Sequence, residues 1–216
     1  MNEFKNKYKF TKEENKRFSR ANVARLVHTS SRFEGVKTTL PQTQTIIDGM
    51  SVTGVPVEDI LTIINLKRGW QYIINSEDKL NLDFEKNINK IVAAEDSLDP
   101  GEFRAGAGNV DLGAGESFEP PMIDEKVESE YLDKIMNDTN LTTTEKALNI
   151  MYYNMRNQIF WDGNKRSAIL MANRIMIDGG AGLINVPLDK WEQWNTLISD
   201  YLSYWWYEWI KKLDLW

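Results

Sequence analysis

The sequence predicts a helical fold that carries one small β-hairpin. Three observations carry this expectation. Apolar residues recur at intervals of three and four through most of the 216 residues, glycine and proline interrupt that rhythm at a few places, and only one short stretch alternates apolar with polar residues.

The elements follow in order. From Thr11 to about Ser31, Phe18, Val23, Leu26 and Val27 recur at helical spacing, and Gly35 in "FEG" offers a C-terminal cap. Pro41, in a Thr/Gln cluster, opens a second helix running to about Gly49. Pro56 and Asp59 open a strongly amphipathic helix with Ile60, Ile63, Ile64, Trp70 and Ile74 on its buried side. A polar link leads to a short helix over 84–94. The stretch 97–121 is rich in glycine and proline. Within it Val110 and Leu112 alternate with polar neighbours, a Gly-Ala-Gly turn separates them from Phe118, and Pro120 and Pro121 end the hairpin.

Thr142 followed by Glu145 forms a capping box opening a helix with Leu148, Met151 and Met155 on one face. That helix runs into "QIFWDGNKRSA", residues 158–168, after which Ala168, Ile169, Ala172, Ile175 and Met176 repeat at three and four until Gly179-Gly180. Leu188, Trp191, Trp194, Ile198, Tyr201 and Trp205 mark a last long helix over 189–216, and six of the eight tryptophans lie in the last 26 residues. Such a stripe reads as core or as a docking face, and Trp205, Trp206, Trp209 and Trp216 exceed what one core covers, which points to a partner or a homodimer. With no internal repeat and no dividing linker, residues 1–216 read as one domain.

Composition narrows the function classes. An apolar share of 42% with 27% charged residues is ordinary globular usage. The absence of cysteine excludes disulfides, thiolate zinc sites and a cysteine nucleophile, and fits a reducing compartment. The N-terminal segment lacks the apolar core of a signal peptide, and no run approaches the roughly 18 apolar residues of a membrane span, so the expectation is no membrane association and a cytoplasmic location. A net charge of −6 argues against general nucleic-acid binding. Lys5, Lys7, Lys9, Lys12, Lys16, Arg17 and Arg20 make the N-terminal segment locally basic and read as a solvated helix face.

The chemistry concentrates at the turn between the two helices. Backbone N–H groups in the first turn of a helix lack intrahelical partners, and the helix dipole adds positive potential there, so Gly163 to Arg166 form an anion cradle suited to phosphate. Glycine at 163 permits close backbone approach, Arg166 offers a bidentate clamp, and Asp162 stands where a magnesium ion bridging phosphates needs a carboxylate. An Asp-Gly turn followed by solvated cations fits the same residues. No Walker A sequence is present.

Phe160, Asp162, Gly163, Asn164, Lys165 and Arg166 match in register the signature loop of the Fic (Fido) family: His, any, Phe, any, Asp or Glu, Gly, Asn, Gly or Lys, Arg. Two further stretches resemble the family in the same order. "SSRFEG", Ser30 to Gly35, is similar to its inhibitory motif, with Ser30, Glu34 and Gly35 as the regulatory residues. The glycine-rich hairpin, with Phe103-Arg104 and then Phe118 to Pro121, resembles the flap over the active site. The likeness spans roughly residues 15–200. It divides the chain into an inhibitory helix and motif over 15–35, a flap over 97–121, a signature loop over 158–166 and the C-terminal aromatic helix.

The resemblance implies an all-α fold, the Fic/Fido helical bundle with one small β-hairpin. It implies transfer of AMP from ATP to a Ser, Thr or Tyr hydroxyl of a protein, with ATP and Mg2+ as cofactors. Carried over residue by residue, Asp162 holds magnesium, Gly163, Asn164, Lys165 and Arg166 hold the phosphates, and Asn164 and Arg166 serve the reaction. Phe160 anchors the loop. Asn109, Val110, Asp111 and Leu112 form the flap edge to which an extended protein target adds as a strand.

The departures bear on activity. Gln158 stands at the position of the family's histidine base, and an amide cannot take a proton. A positioned general base is worth about 10² to 10⁴ in rate, so the expectation is nucleotide binding with slow or absent transfer. The only histidine, His28, lies beside the inhibitory stretch and reads as a packing or capping residue ahead of a substitute base. Lys165, where many members have glycine, is shared with Doc-type members that phosphorylate, so a Doc-like kinase is an alternative. Ile169 replaces the arginine that usually pairs with the inhibitory glutamate, leaving Glu34 to reach Arg166 or to cap a helix. The remaining alternative is a non-catalytic nucleotide-binding or interaction module.

Overall fold

The computed structural model describes residues 4–113 and 116–203. Among them are eight α-helices: α1 (Lys12–Ser30), α2 (Leu40–Ile47), α3 (Val57–Asn75), α4 (Leu82–Val92), α5 (Glu125–Asn137), α6 (Thr143–Asn157), α7 (Asn164–Asp178) and α8 (Trp191–Ser203). A 3-10 turn, Ser31–Glu34, extends α1. Strands β1 (Val110–Gly113) and β2 (Glu116–Phe118) pair antiparallel, with Val110 opposite Phe118, and form the hairpin. The fold is thus mostly helical.

Helix starts are written into the sequence. Thr11 with Glu14, Thr39 with Gln42 and Thr142 with Glu145 form reciprocal capping boxes at α1, α2 and α6. Each satisfies two backbone or side-chain donors that the helix geometry would otherwise orphan, for about 1 kcal/mol apiece. Gly35 closes the 3-10 turn at φ +74°, in the left-handed region.

α7 is the centre of the molecule. Every residue from Arg166 to Ile177 is buried, and α1, α3, α4 and α6 pack around it. Its apolar residues face several neighbours at once, and its buried Asn173 is satisfied by the carbonyls of Ile169 and Ile184. Trp70, Ile63, Leu66 and Ile73 of α3 and Phe84 and Ile88 of α4 fill the space beside it; each such side chain contributes about 1.5–3 kcal/mol. The buried Arg174 is compensated on every side. Its Nε donates to Asp178 Oδ2 at 2.7 Å, Nη1 and Nη2 donate to the carbonyls of Ser76 at 2.8 Å and Asp78 at 3.0 Å, and its plane lies on the Phe84 ring.

Several expectations change here. α5 is a further helix, which buries Glu128, Leu132 and Ile135 with Tyr131 and Met136 partly buried beside them. Phe18 is exposed and joins Tyr8 and Phe10 in a surface aromatic group, because the N-terminal segment lies across that face of α1. Leu188 is exposed in a short 3-10 turn preceding α8. The basic face of α1 is partly paired. Lys16 is buried against Glu77, and Lys12 lies 3.1 Å from Glu77 and 3.0 Å from Asp178, so the two lysines fasten α1 to the loop after α3 and to the end of α7. Trp205, Trp206, Trp209 and Trp216 lie outside the described residues. No helix among the described residues is long and apolar enough to cross a membrane.

Glu85 of α4 is a buried acid under the α6 C-terminus, where it accepts from Asn154 Nδ2. Burial first, and the neighbouring Glu128 second, push its carboxyl up to about 8. A carboxyl whose pKa is higher folded than unfolded contributes stability at low pH that is lost as pH rises from its ordinary range through about 8. Thermal melts of wild type and Glu85→Gln are therefore expected to diverge between pH 5 and pH 8.5, with the variant gaining on wild type as pH rises. Parallel curves would show Glu85 ionised in the fold.

Candidate functional site

The chain reverses direction between α6 and α7 in six residues, 158–163, and each is held. Gln158 caps α6 at φ 48°, ψ 56°, and is the one non-glycine residue with positive φ among the described residues. Its N–H donates to the Asn154 carbonyl at 3.0 Å, its side-chain Nε2 turns back to the Met155 carbonyl at 2.6 Å, and its own carbonyl accepts from Arg104 Nε at 3.1 Å. Phe160 is buried against the Phe103 ring, and the two residues form an isolated antiparallel bridge. Asn164 uses both ends of its amide on one residue, accepting from the Phe160 N–H and donating to the Phe160 carbonyl, each at 2.9 Å. Gly163 is the N-cap of α7 at φ +71°, and a Cβ there would lie 2.8 Å from the Cβ of Ala93. Glycine is thus demanded by backbone conformation and by close packing on the end of α4.

From the opposite side, Asn89 of α4 donates Nδ2 to the Asp162 carbonyl at 2.8 Å and to Ser167 Oγ at 3.1 Å, and accepts from the Gly101 N–H at 2.9 Å. The buried Arg104 does the same for the hairpin, joining the Gln158 carbonyl to those of Gly106 and Pro121.

Four groups converge on the guanidinium of Arg166, which is 1% exposed. Nη1 donates to the Val92 carbonyl and lies 2.7 Å from Asp96 Oδ2; Nη2 reaches Asp162 Oδ1 at 3.3 Å; Nε lies 2.8 Å from Glu34 Oε1. The last contact is off the N–H axis, so Nε is a buried donor without a hydrogen bond. Burial, opposed by Arg166 and reinforced by Asp162 and Asp96, raises the Glu34 pKa. Its pairing is therefore held against a desolvation cost.

Beside this cluster lies a cavity of about 300 Å³, lined by Phe33 and Glu34 of the 3-10 turn, Asn109 and Val110 of the hairpin, Gln158, and residues 161–165. That volume is at the bottom of the range for small-ligand pockets, roughly 300–1,000 Å³. Three carboxylates, Glu34, Asp96 and Asp162, here stand against two cations, Arg166 and Lys165. One half-exposed carboxylate, Asp162, stands at the cavity wall, and no group of three metal-ligating side chains occurs among the described residues. That donor set fits magnesium, which binds through one or two carboxylates plus substrate phosphates.

Residues 79–176, from the start of α4 through nearly all of α7, match the model of the Fic/DOC family. The matched stretch is less than half of the chain. No curated protein matches it by sequence. Among solved structures it is similar to a Fic domain containing signaling protein from Bacteroides thetaiotaomicron (TM-score 0.73, 20% identity, 88% of this chain and 75% of that one). It is also similar to Fic-1, residues 134–508, from C. elegans (TM-score 0.70, 20% identity, 85% and 56%) and to a Fic family protein from Desulfovibrio desulfuricans (TM-score 0.64, 22% identity, 86% and 55%). The chain spans little more than half the length of the last two.

Of the residues singled out from the sequence, Glu34, Asn109, Val110, Gln158, Asp162, Gly163, Asn164 and Lys165 line the cavity, and Arg166 stands against Glu34 and Asp162. Ser30 is buried beneath the 3-10 turn without a hydrogen bond for its hydroxyl, and His28 is buried against Thr43 Oγ1 at 3.1 Å, where burial lowers its pKa. Neither lines the cavity. The Gly163 N–H is taken by Asp162 Oδ1, so the open backbone donors of the cradle are those of α7's first turn. Asp111 and Leu112 continue β1, which pairs only with β2 among the described residues and so leaves one edge open.

Asn89, Asp96 and Arg104 complete the site and were not singled out as site residues. Asn89 alone left a legible trace, as an amide set in the buried stripe formed by Phe84, Ile88 and Val92. Removing its amide orphans partners in three segments, so Asn89→Ala is expected to lower unfolding free energy by about 2–3 kcal/mol in urea titration. Gly163→Ala is expected to lower it as well. A Gly163→Ala loss under about 0.5 kcal/mol would show that the loop relaxes freely around a left-handed residue.

Proposed function

We propose that this domain binds ATP with magnesium at the cavity between Glu34, the hairpin and the α7 N-terminus, and is a protein adenylyltransferase impaired by Gln158. Fic/DOC-family domains commonly transfer nucleotide-derived groups to proteins, using nucleotide substrates and a metal. The observation that carries the reading is the cavity itself. One space is lined by the open hairpin edge, the loop's carboxylate and helix N-terminus, and the acid that touches Arg166.

In this reading the α7 first turn and Arg166 receive the polyphosphate, and magnesium held by Asp162 neutralises its charge when bound. An extended target segment adds to β1 beside Asn109 and Val110. The acceptor hydroxyl oxygen bonds the α-phosphorus, pyrophosphate departs, and the hydroxyl proton must go to a base. The Gln158 side chain faces back to its own helix and offers no lone pair basic enough to take it. Glu34 serves as the inhibitory acid through Arg166, since Ile169 is a core residue, 1% exposed. Phosphoryl transfer of the Doc type is the second reading, favoured by Lys165 at the cavity wall. The cysteine-free composition suits a cytoplasmic setting.

Incubating the protein with magnesium and α- or γ-labelled ATP tests both readings. Wild type is expected to transfer little label, and Gln158→His combined with Glu34→Gly to raise transfer by about 10² or more. α-label in the acceptor identifies AMP transfer and γ-label phosphorylation. Strong transfer by wild type would overturn the assignment of the base position.

A further inference from the structure

Asp96 is the one charged group on Arg166 that none of the sequence motifs contains. It sits on the turn closing α4, where its N–H donates to the Ala93 carbonyl at 3.2 Å. Its carboxylate shares Nη1 of Arg166 with the Val92 carbonyl, so both anchors on that nitrogen come from the end of α4. The contacts on the other two nitrogens differ in kind: Glu34 is off axis on Nε, and Asp162 is long, at 3.3 Å, on Nη2. We propose that Asp96 is a positioning residue, which pins Nη1 of Arg166 to the α4 wall so that the Nε–Nη2 edge is presented to an anionic oxygen of the polyphosphate.

This rests on the nucleotide-binding reading above and extends it. A guanidinium grips phosphate bidentately only when its plane is fixed. The orphaned Nε, on a residue 1% exposed, marks the donor that is still to be satisfied. The Glu34 oxygen 2.8 Å away marks where an anionic oxygen stands against that edge. When Glu34 leaves, the contacts on Nη1 remain, and Arg166 keeps its orientation without the acid that blocked it.

The assignment has a sign opposite to that of simple electrostatics. A carboxylate near a phosphate site repels the ligand, so deleting Asp96 tightens binding if it acts only as a charge. If it positions Arg166, deletion weakens binding. Calorimetric titration with inorganic tripolyphosphate and with magnesium–ATP, in the Glu34→Gly background, reads that sign. Adding Asp96→Ala is expected to weaken tripolyphosphate binding about tenfold, Asp96→Asn by less, and Asp96→Glu to restore part of the loss. A cooperative melt confirms that each variant is folded, and Asp96→Asn carries the test if Asp96→Ala does not fold. Unchanged or tighter binding in the Asp96 variants overturns the assignment while leaving the nucleotide reading intact. Failure of Glu34→Gly itself to bind either ligand overturns both.

Discussion

A single buried cation organises this domain. At 1% exposure the charge of Arg166 must be met by protein groups. The acceptors that reach it come from three separate parts of the chain: the end of α4, the turn after α1, and the loop that opens α7. Satisfying one guanidinium therefore fixes three segments relative to one another. Glu34 lies against one edge of that side chain, where carboxylates already outnumber cations.

Glu34 is not restrained by Arg166 alone. Its neighbour Phe33 stands edge-on to Trp191 at 5.0 Å and to Trp194 at 5.1 Å, and those two indoles stack on each other. The first part of the aromatic stripe is thus a docking face for the turn that carries Glu34. Aromatic pairs of this kind contribute about 0.5–1.5 kcal/mol each beyond their area. The pairing to Arg166 is off axis and held against desolvation, so the aromatic contact is the firmer of the two holds on the turn. Arg156, which packs on both Phe118 of β2 and Tyr201 of α8, ties the hairpin to the same helix.

The sequence was most legible where local rules and tertiary packing agree. The capping box at Thr142 and the apolar repeats of α3 and α7 each have one consistent reading, and the structure follows them. It was less legible where a residue's role depends on a distant partner. Lys16 looks solvated in sequence because Glu77, its counter-charge, is sixty-one positions away. α5, by contrast, has a local signal of its own, with Tyr131, Leu132, Ile135 and Met136 at helical spacing against the core. At the site, the loop residues 160–166 were readable as a contiguous motif, whereas Asn89 and Arg104 act across tens of residues through backbone carbonyls and Asp96 through the distant Arg166 side chain. Carbonyl acceptors leave no signature in a sequence.

Gln158 shows how a residue can keep a position's geometry while changing its chemistry. Left-handed backbone at a non-glycine residue costs about 1–3 kcal/mol and persists only where the surroundings over-determine it. Here they do: the N–H, the carbonyl and the side-chain amide of Gln158 are all engaged, by Asn154, Arg104 and Met155. The turn that aims the first residue of the loop is thus enforced by Arg104 and by the end of α6, independently of what that residue is. Histidine tolerates left-handed backbone at least as well as glutamine does. The backbone geometry of this position is therefore set by the scaffold, and a histidine placed there would meet the same strained turn, Asn164 clamp and buried Arg166.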